Sequence, residues 1–234
     1  MKKIDIFLEK TKAHHPVHAK YLENISLEKE DREEFENLLS YYEQRLNLSI
    51  EDQVQCYLKF LHKNLEETKF FLEHHHYRYA TFEEVKNQVY FNEDYMQKYM
   101  VGLAISSYLW GTHISARKVF SHYLNQLQKN KELSYLEVGP GHGEYFLRAI
   151  KSEAFGRCVG IDISPTSCKM TQEIVASHTD FTKADFLCKD FLAFQTEEKY
   201  DLITMGEVLE HVERPLEFLK KSRVLLNGGG GNFL

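Results

Sequence analysis

Apolar residues in the first 128 positions recur with helical period, whereas those after residue 132 alternate between short apolar runs and helical stretches. Ile50, Val54, Tyr57, Leu58, Leu61, Leu65 and Leu72 follow a repeat close to 3.6 residues, which predicts a helix with Ser49 as its cap. Asn92 is positioned to cap a second helix carrying Met96, Tyr99, Met100, Leu103 and Trp110. Gly111-Thr112 interrupts it, and a third helix sets Val119, Phe120, Tyr123, Leu124 and Leu127 on one face. Residues 28–47 are charged and bear a narrower stripe of Phe35, Leu38, Leu39, Tyr42 and Leu46. The pattern therefore predicts an all-helical region over residues 1–128.

The remainder, 129–234, predicts strands at 134–138, 158–161, 184–188 and 200–205. Helices are expected after His142, over 165–177 and over 214–226, with Pro165 at a first helical position behind a capping Ser164. Strictly alternating strands and helices argue for an α/β fold, a doubly wound and mainly parallel sheet with crossover helices. Residues 227–231 read as a turn and Asn232-Phe233-Leu234 as the start of a fifth strand. The sheet is expected to be incomplete on that side, leaving an edge prone to pairing.

Charge and cysteine content narrow the picture. Lys and Arg total 29 against 35 Asp and Glu, a formal charge of −6, so no broad basic surface for nucleic acid is implied. Cys56, Cys158, Cys168 and Cys188 are dispersed without a C-x-x-C pair and are expected to be reduced, mostly buried thiols. No run of apolar residues has signal-peptide or membrane-spanning character, so a soluble cytoplasmic protein is expected. Consecutive histidines on a helix diverge, so His74-His75-His76 is not read as a metal site. His14-His15-Pro16-Val17-His18 is expected to be an exposed loop.

The chemistry concentrates in one segment. A short predicted strand ends at Val138, three alternating glycines follow (Gly139, Gly141, Gly143), and a helical pattern begins. Strand, glycine turn and helix in succession form the nucleotide site of a doubly wound sheet. The spacing is G-x-G-x-G, not the dinucleotide G-x-G-x-x-G, and Glu137 stands two residues before the first glycine. Asp162 ends the next apolar run. Glu137 to Gly143 resembles motif I of the class I S-adenosylmethionine-dependent methyltransferases, a Rossmann-like core here C-terminally incomplete.

That resemblance implies the remaining site. It places Glu137, Gly139, Gly141 and His142 around the methionine end of the cofactor, and Asp162 on the ribose hydroxyls. Ile163 would lie on the adenine face, with Asp190 at the adenine amino group and Phe191 lining the same pocket. Asp185 is the alternative acid if the third strand is offset. Met205 to Val212 resembles the E-V-L-E-H segment of small-molecule methyltransferases, with Gly206 and Glu207 near the transferred methyl. The likeness covers residues 134 to about 226.

Methyl transfer is an in-line attack on a sulfonium methyl, so the protein must align the partners, exclude water and accept a proton. His113, Glu207 and His211 are the candidate catalytic groups, with His142 a further base. Tyr95, Tyr99 and Trp110 could wall a substrate pocket or simply fill helix contacts. In ubiquinone-pathway O-methyltransferases and small-RNA 2′-O-methyltransferases a similar E-x-x-E-H cluster binds a divalent metal. The same string occurs in relatives without one, and no metal ligand is assigned here. The expected activity is methylation of an oxygen or nitrogen of a small molecule, releasing S-adenosyl-L-homocysteine. RNA or protein methylation, and a non-catalytic cofactor-binding subunit, are the alternatives. By resemblance, the helical region would act as a lid, a substrate site or a homodimer contact.

Overall fold

The computed structural model describes residues 1–76, 78, 84, 90–228 and 231–233. They fall into two compact units, Met1–Arg78 with Lys98–Arg117, and Tyr79–Gln97 with Lys118–Leu234.

The first unit is helical: α1 (Lys3–His14), α2 (Pro16–Leu22), α3 (Lys29–Arg45) and α4 (Ile50–His74). Parts of α5 (Glu93–Leu109) and α6 (Gly111–Gln126) complete it. Ser49 caps α4 as expected, in a reciprocal box: its hydroxyl accepts from the Asp52 amide (3.2 Å) and Asp52 accepts from the Ser49 amide (2.9 Å). At the head of α5, Asn92 accepts from the Tyr95 amide at 3.1 Å. The interior is aromatic: Phe7 meets Phe35 edge-on at 5.6 Å, and Phe35 stacks on Tyr108 at 5.0 Å.

Three expectations change in detail. Only the first half of the α4 stripe is buried, from Ile50 to Leu61, while Leu65 and Leu72 are 54% and 67% exposed. The helix α1 that packs against α4 has 12 residues, against 25 in α4. The segment His14 to His18 is not a loop, because Pro16 starts α2 and the ring of His15 caps it by accepting from the His18 amide at 3.0 Å. His18 itself is buried, with Nε2 2.7 Å from the Tyr57 hydroxyl. Val119 turns out exposed, while Phe120 and Leu124 of the same predicted face are buried.

The second unit holds the sheet. Its strands are β1 (Leu133–Val138), β2 (Phe155–Asp162), β3 (Ala184–Cys188), β4 (Leu202–Thr204) and β5 (Asn232–Phe233). They run parallel in the order β3-β2-β1-β4-β5. The crossovers are α7 (Glu144–Lys151), α8 (Pro165–His178) and, between β4 and β5, α9 (Pro215–Leu225). Strand alternation divides β1 between two cores. Leu136 and Val138 join Val159, Ile161, Phe191, Ile203, Phe218 and Leu225 on one face. Tyr135 and Glu137 point to the other, where the Tyr135 ring meets Phe155 (5.1 Å), Phe146 (5.8 Å) and Phe120 (6.4 Å).

Each predicted strand is present, though β2 begins earlier, at Phe155, and β4 is shorter than expected. The cysteines are all free; Cys56 and Cys158 are buried, Cys168 is half-buried and Cys188 is exposed, so burial is less general than expected.

Candidate cofactor and active site

Chain direction places four loops at one edge of the sheet. β1 is flanked by β2 and β4, so the chain reverses its winding between β1 and β4, and ligands of such sheets bind at the carboxyl ends beside that point. The glycine turn leaves β1 there, Asp162 ends β2, Asp190 follows β3, and Gly206-Glu207 follows β4. A cavity of about 550 Å³ lies at the other end, lined by Leu133, Phe155, Leu202, Tyr123 and Asn232, at the amino ends of the strands.

The glycine turn has the backbone that glycine permits. Gly139, Gly141 and Gly143 have φ of 71°, 55° and 81°. A Cβ on Gly139 would stand 2.5 Å from Val208 Cγ2, and one on Gly143 would stand 2.8 Å from Thr171 Cα of α8. The Gly139 amide donates to the Ile161 carbonyl at 2.7 Å, tying the turn to the end of β2. His142 is buried and its Nδ1 accepts from the Glu144 amide at 3.2 Å, which fixes the entry into α7.

Asp162 joins this turn to the β2–α8 corner. Its Oδ2 accepts from the Gly141 amide (3.2 Å) and its Oδ1 from the Ser164 amide (2.9 Å). Burial pushes its pKa up to about 6, against the lowering effect of those amides. The Ile163 amide also bonds to this carboxylate, and three amides on about four acceptor positions still leave acceptor capacity for a diol hydroxyl. Half-buried Ile163 follows it.

Glu137 sits deeper, 5% exposed. Tyr135 donates to its Oε2 at 2.8 Å, and the Tyr135 hydroxyl lies 2.6 Å from Thr204 Oγ1 on β4. Burial pushes the pKa of Glu137 to about 8; the Tyr135 bond lowers it and the charge of Asp162 raises it. Among the described residues no cation offsets this acid.

The strand before Asp190 resolves one ambiguity. β3 spans Ala184–Cys188 without offset, so Asp185 lies inside the strand, ion-paired with Arg157 at 2.6 Å. Asp190 lies past the strand end, exposed, with Oδ1 accepting from the Leu192 amide at 2.9 Å. Phe191 is buried in the sheet core, 5.3 Å from the ring of Phe218.

After β4 the chain is strained at a useful place. Glu207 has φ of 55°, and Gly206 before it has open space where a Cβ would be. Although Glu207 is exposed as a residue, loss of water around its carboxyl group, then a hydrogen bond and the charge of Glu210, push its pKa to about 7. His211 Nε2 lies 4.0 Å from Glu210 Oε1. Among the described residues, no group of three or more His, Cys, Asp or Glu is arranged to hold a metal ion.

The sequence pattern does not mark Tyr90, in the same unit. Its hydroxyl pKa is raised by burial and then by the charges of Asp162 and Glu210. No spacing or motif singles out that residue, since only the fold brings it into their field. His113 belongs to the helical unit, where its Nδ1 lies 2.7 Å from Ser106 Oγ and its ring meets Trp110 at 5.0 Å. Burial lowers its pKa. Tyr99 and Trp110 pack on Phe60 at 5.2 and 5.1 Å, within the aromatic interior of that unit.

Comparison with known proteins agrees with this layout. A family described as "Methyltransferase domain" matches residues 112–234, more than half of the chain. Ubiquinone biosynthesis O-methyltransferase of Leptothrix cholodnii is 29% identical over 104 residues, covering 44% of this chain and 43% of that protein. The enzyme of the same name from Histophilus somni is 32% identical over 109 residues, covering 42% of each. The chain thus spans less than half the length of the curated relatives it matches. Among solved structures, the N-methyltransferase NodS from Bradyrhizobium japonicum WM9, in complex with S-adenosyl-l-homocysteine, is 21% identical, with a TM-score of 0.42 over 49% of this chain and 58% of that one. Mycolic acid cyclopropane synthase CmaA1 is 24% identical, with a TM-score of 0.42 over 50% of this chain and 40% of that one. On the family match, carried by the residues that hold the glycine turn and its acids, the chain belongs to the class I S-adenosylmethionine-dependent methyltransferases.

Proposed function

We propose that this protein methylates an oxygen or nitrogen of a small molecule. The observation that carries the proposal is the meeting of Glu137, the left-handed glycine turn and Asp162 at the carboxyl edge of the sheet, with Glu207 on the neighbouring loop. The residues suit the cofactor chemically: a buried acid without a counter-cation favours an ammonium group, and an acid with spare acceptor positions favours a diol. Bound S-adenosylmethionine supplies an electrophilic methyl group.

Glu137, Gly139, Gly141 and His142 are assigned to its amino-acid end and Asp162 to the ribose. Ile163, Asp190 and Phe191 are assigned to the adenine side, and Gly206-Glu207 to the neighbourhood of the methyl. Glu207 is assigned the proton-accepting role, since a carboxyl group titrating at about 7 is part ionised at neutral pH and can take a proton from an acceptor hydroxyl. His211 and His113 are the other assigned catalytic groups. The two relatives named as ubiquinone biosynthesis O-methyltransferases support an oxygen as the acceptor atom. No helix among the described residues is long and apolar enough to cross a membrane.

Calorimetry with S-adenosylmethionine tests the core of the proposal, with micromolar binding expected and a loss of at least tenfold in Asp162→Ala. Transfer of labelled methyl to phenols, catechols and amines tests the rest. Binding without transfer to any of them would reject the small-molecule assignment.

A further inference from the structure

The buried face of β1 carries a polar chain that no motif accounts for. Tyr135 and Glu137 are two apart on one strand, so both side chains point the same way. Thr204 is paired with Glu137 across β1 and β4, which brings its hydroxyl beside both. Tyr135 is fully buried, and the pocket around its ring is otherwise Phe120, Phe146 and Phe155. A phenol in such surroundings needs a partner for its hydroxyl, and here it has two.

The hydrogen positions follow from chemistry. Tyr135 donates its one proton to Glu137 Oε2 (2.8 Å), so it must itself accept from Thr204 Oγ1 (2.6 Å). The chain therefore runs one way, Thr204 to Tyr135 to Glu137, and all three groups lie at or below 8% exposure. Such a chain fixes the rotation of the carboxylate and stabilises its charge. The groups facing Glu137 from the elements around it are Tyr135 on β1, Asp162 and Cys158 on β2, and Thr204 on β4. None of them is a cation.

We infer that Tyr135 and Thr204 are positioning residues for the cofactor, orienting Glu137 toward the ammonium group of its amino-acid end and favouring the charged form of the acid there. The inference rests on the S-adenosylmethionine reading above and extends it to two residues beneath the glycine turn. Removing the phenol hydroxyl takes away a group that stabilises the carboxylate, so Glu137 in Tyr135→Phe would ionise only at higher pH.

The test compares S-adenosylmethionine with a ligand that lacks its amino-acid end and, with it, the sulfonium charge. Wild type, Tyr135→Phe, Thr204→Val and Thr204→Ser are titrated calorimetrically with S-adenosylmethionine and with 5′-methylthioadenosine, between pH 6 and 8. Tyr135→Phe is expected to bind S-adenosylmethionine about tenfold more weakly at pH 7. Its affinity should climb with pH along a curve displaced to the alkaline side, while 5′-methylthioadenosine binds as to wild type. Thr204→Val should show the same pattern at about threefold, with Thr204→Ser restoring wild-type behaviour. If Tyr135→Phe fails to fold, the Thr204 pair decides the matter alone. Equal loss for both ligands, or unchanged affinity and pH profile, overturns the inference. Wild type failing to bind S-adenosylmethionine at all rejects the functional reading instead, so the two failures are distinct.

Discussion

Each unit of the molecule buries an ionisable side chain, and the two are treated in opposite ways. In the helical unit Arg117, 4% exposed, is closed off: its Nη2 meets Asp31 at 2.6 Å, its Nη1 meets Glu34 at 3.0 Å, and its guanidinium lies over Tyr108 at 4.5 Å. In the α/β unit Glu137 has a hydroxyl on one oxygen and a second acid, Asp162, in its field. A buried charge that is fully compensated within the fold belongs to the fold. One left short of compensation, at the edge where ligands enter, is a place where a ligand completes the structure. The difference separates architecture from site more clearly than burial does.

The sharpest way to break this comparison is Arg117→Met. It would take the guanidinium from buried Asp31, and a loss of about 3–5 kcal/mol is expected on urea denaturation. The folded fraction should keep its affinity for S-adenosylmethionine, because Arg117 has no assigned part in binding. A loss below about 1 kcal/mol would mean that the pair is solvated and structurally idle.

Glu137→Gln should do the reverse. Affinity for S-adenosylmethionine is expected to fall about a hundredfold, since the ammonium would lose a buried counter-charge. Stability should not fall with it. The pKa of Glu137 is raised in the folded state to about 8, so this acid contributes stability that is complete at low pH and is lost as pH rises from its unfolded value, near 4.5, through 8. The variant removes that slope, and its stability relative to wild type should improve as pH increases across that window, by at most roughly 1.4 kcal/mol for each step of one in pH. A variant that binds normally would place Glu137 with Arg117, among structural groups.

How much of this is legible in the sequence differs between the units for the same physical reason. Local signals are readable in both: the Ser49 and Ser164 caps and the strand at Ala184–Cys188 depend on neighbouring residues alone, while the helix break falls at Trp110, just before the expected Gly111-Thr112. The glycine turn and Asp162 are readable because left-handed backbone and strand ends leave a sequence mark. What escapes depends on partners distant in sequence. The α4 stripe gives no sign of where its burial ends, so Leu65 and Leu72 look like core until the fold shows them exposed. Tyr135 reads as an ordinary strand aromatic, since only the pairing of β1 with β4 brings Thr204 to its hydroxyl. Tyr90 lies in no motif, and only the fold brings it into the field of Asp162 and Glu210.

A more modest probe sharpens the boundary of the site. Gly139→Ala must accommodate a Cβ 2.5 Å from Val208 in a backbone region costly to other residues, with φ of 71°. A stability loss of about 1–3 kcal/mol is expected, together with weaker cofactor binding as the turn shifts. Stability loss with unchanged affinity would show that the turn supports packing only.

The smallest expected effect tests the proton-accepting role. If ionised Glu207 takes the proton, kcat/KM should rise with pH through about 7. Glu210 raises that pKa by its hydrogen bond and its charge, so Glu210→Gln, which keeps the size and removes the charge, should move the acid limb about one pH unit to the acid side. His211→Asn separates the two neighbours. Its limb should remain at about 7 with a lower plateau if Glu207 is the base, and disappearance of the limb in that variant would transfer the role to His211. The outcome bears on the opening contrast, because a carboxyl pair sharing one proton at the sheet edge is a third way to hold charge: Arg117 is closed by the fold, Glu137 would be completed by the cofactor, and Glu207 would be left poised for the acceptor.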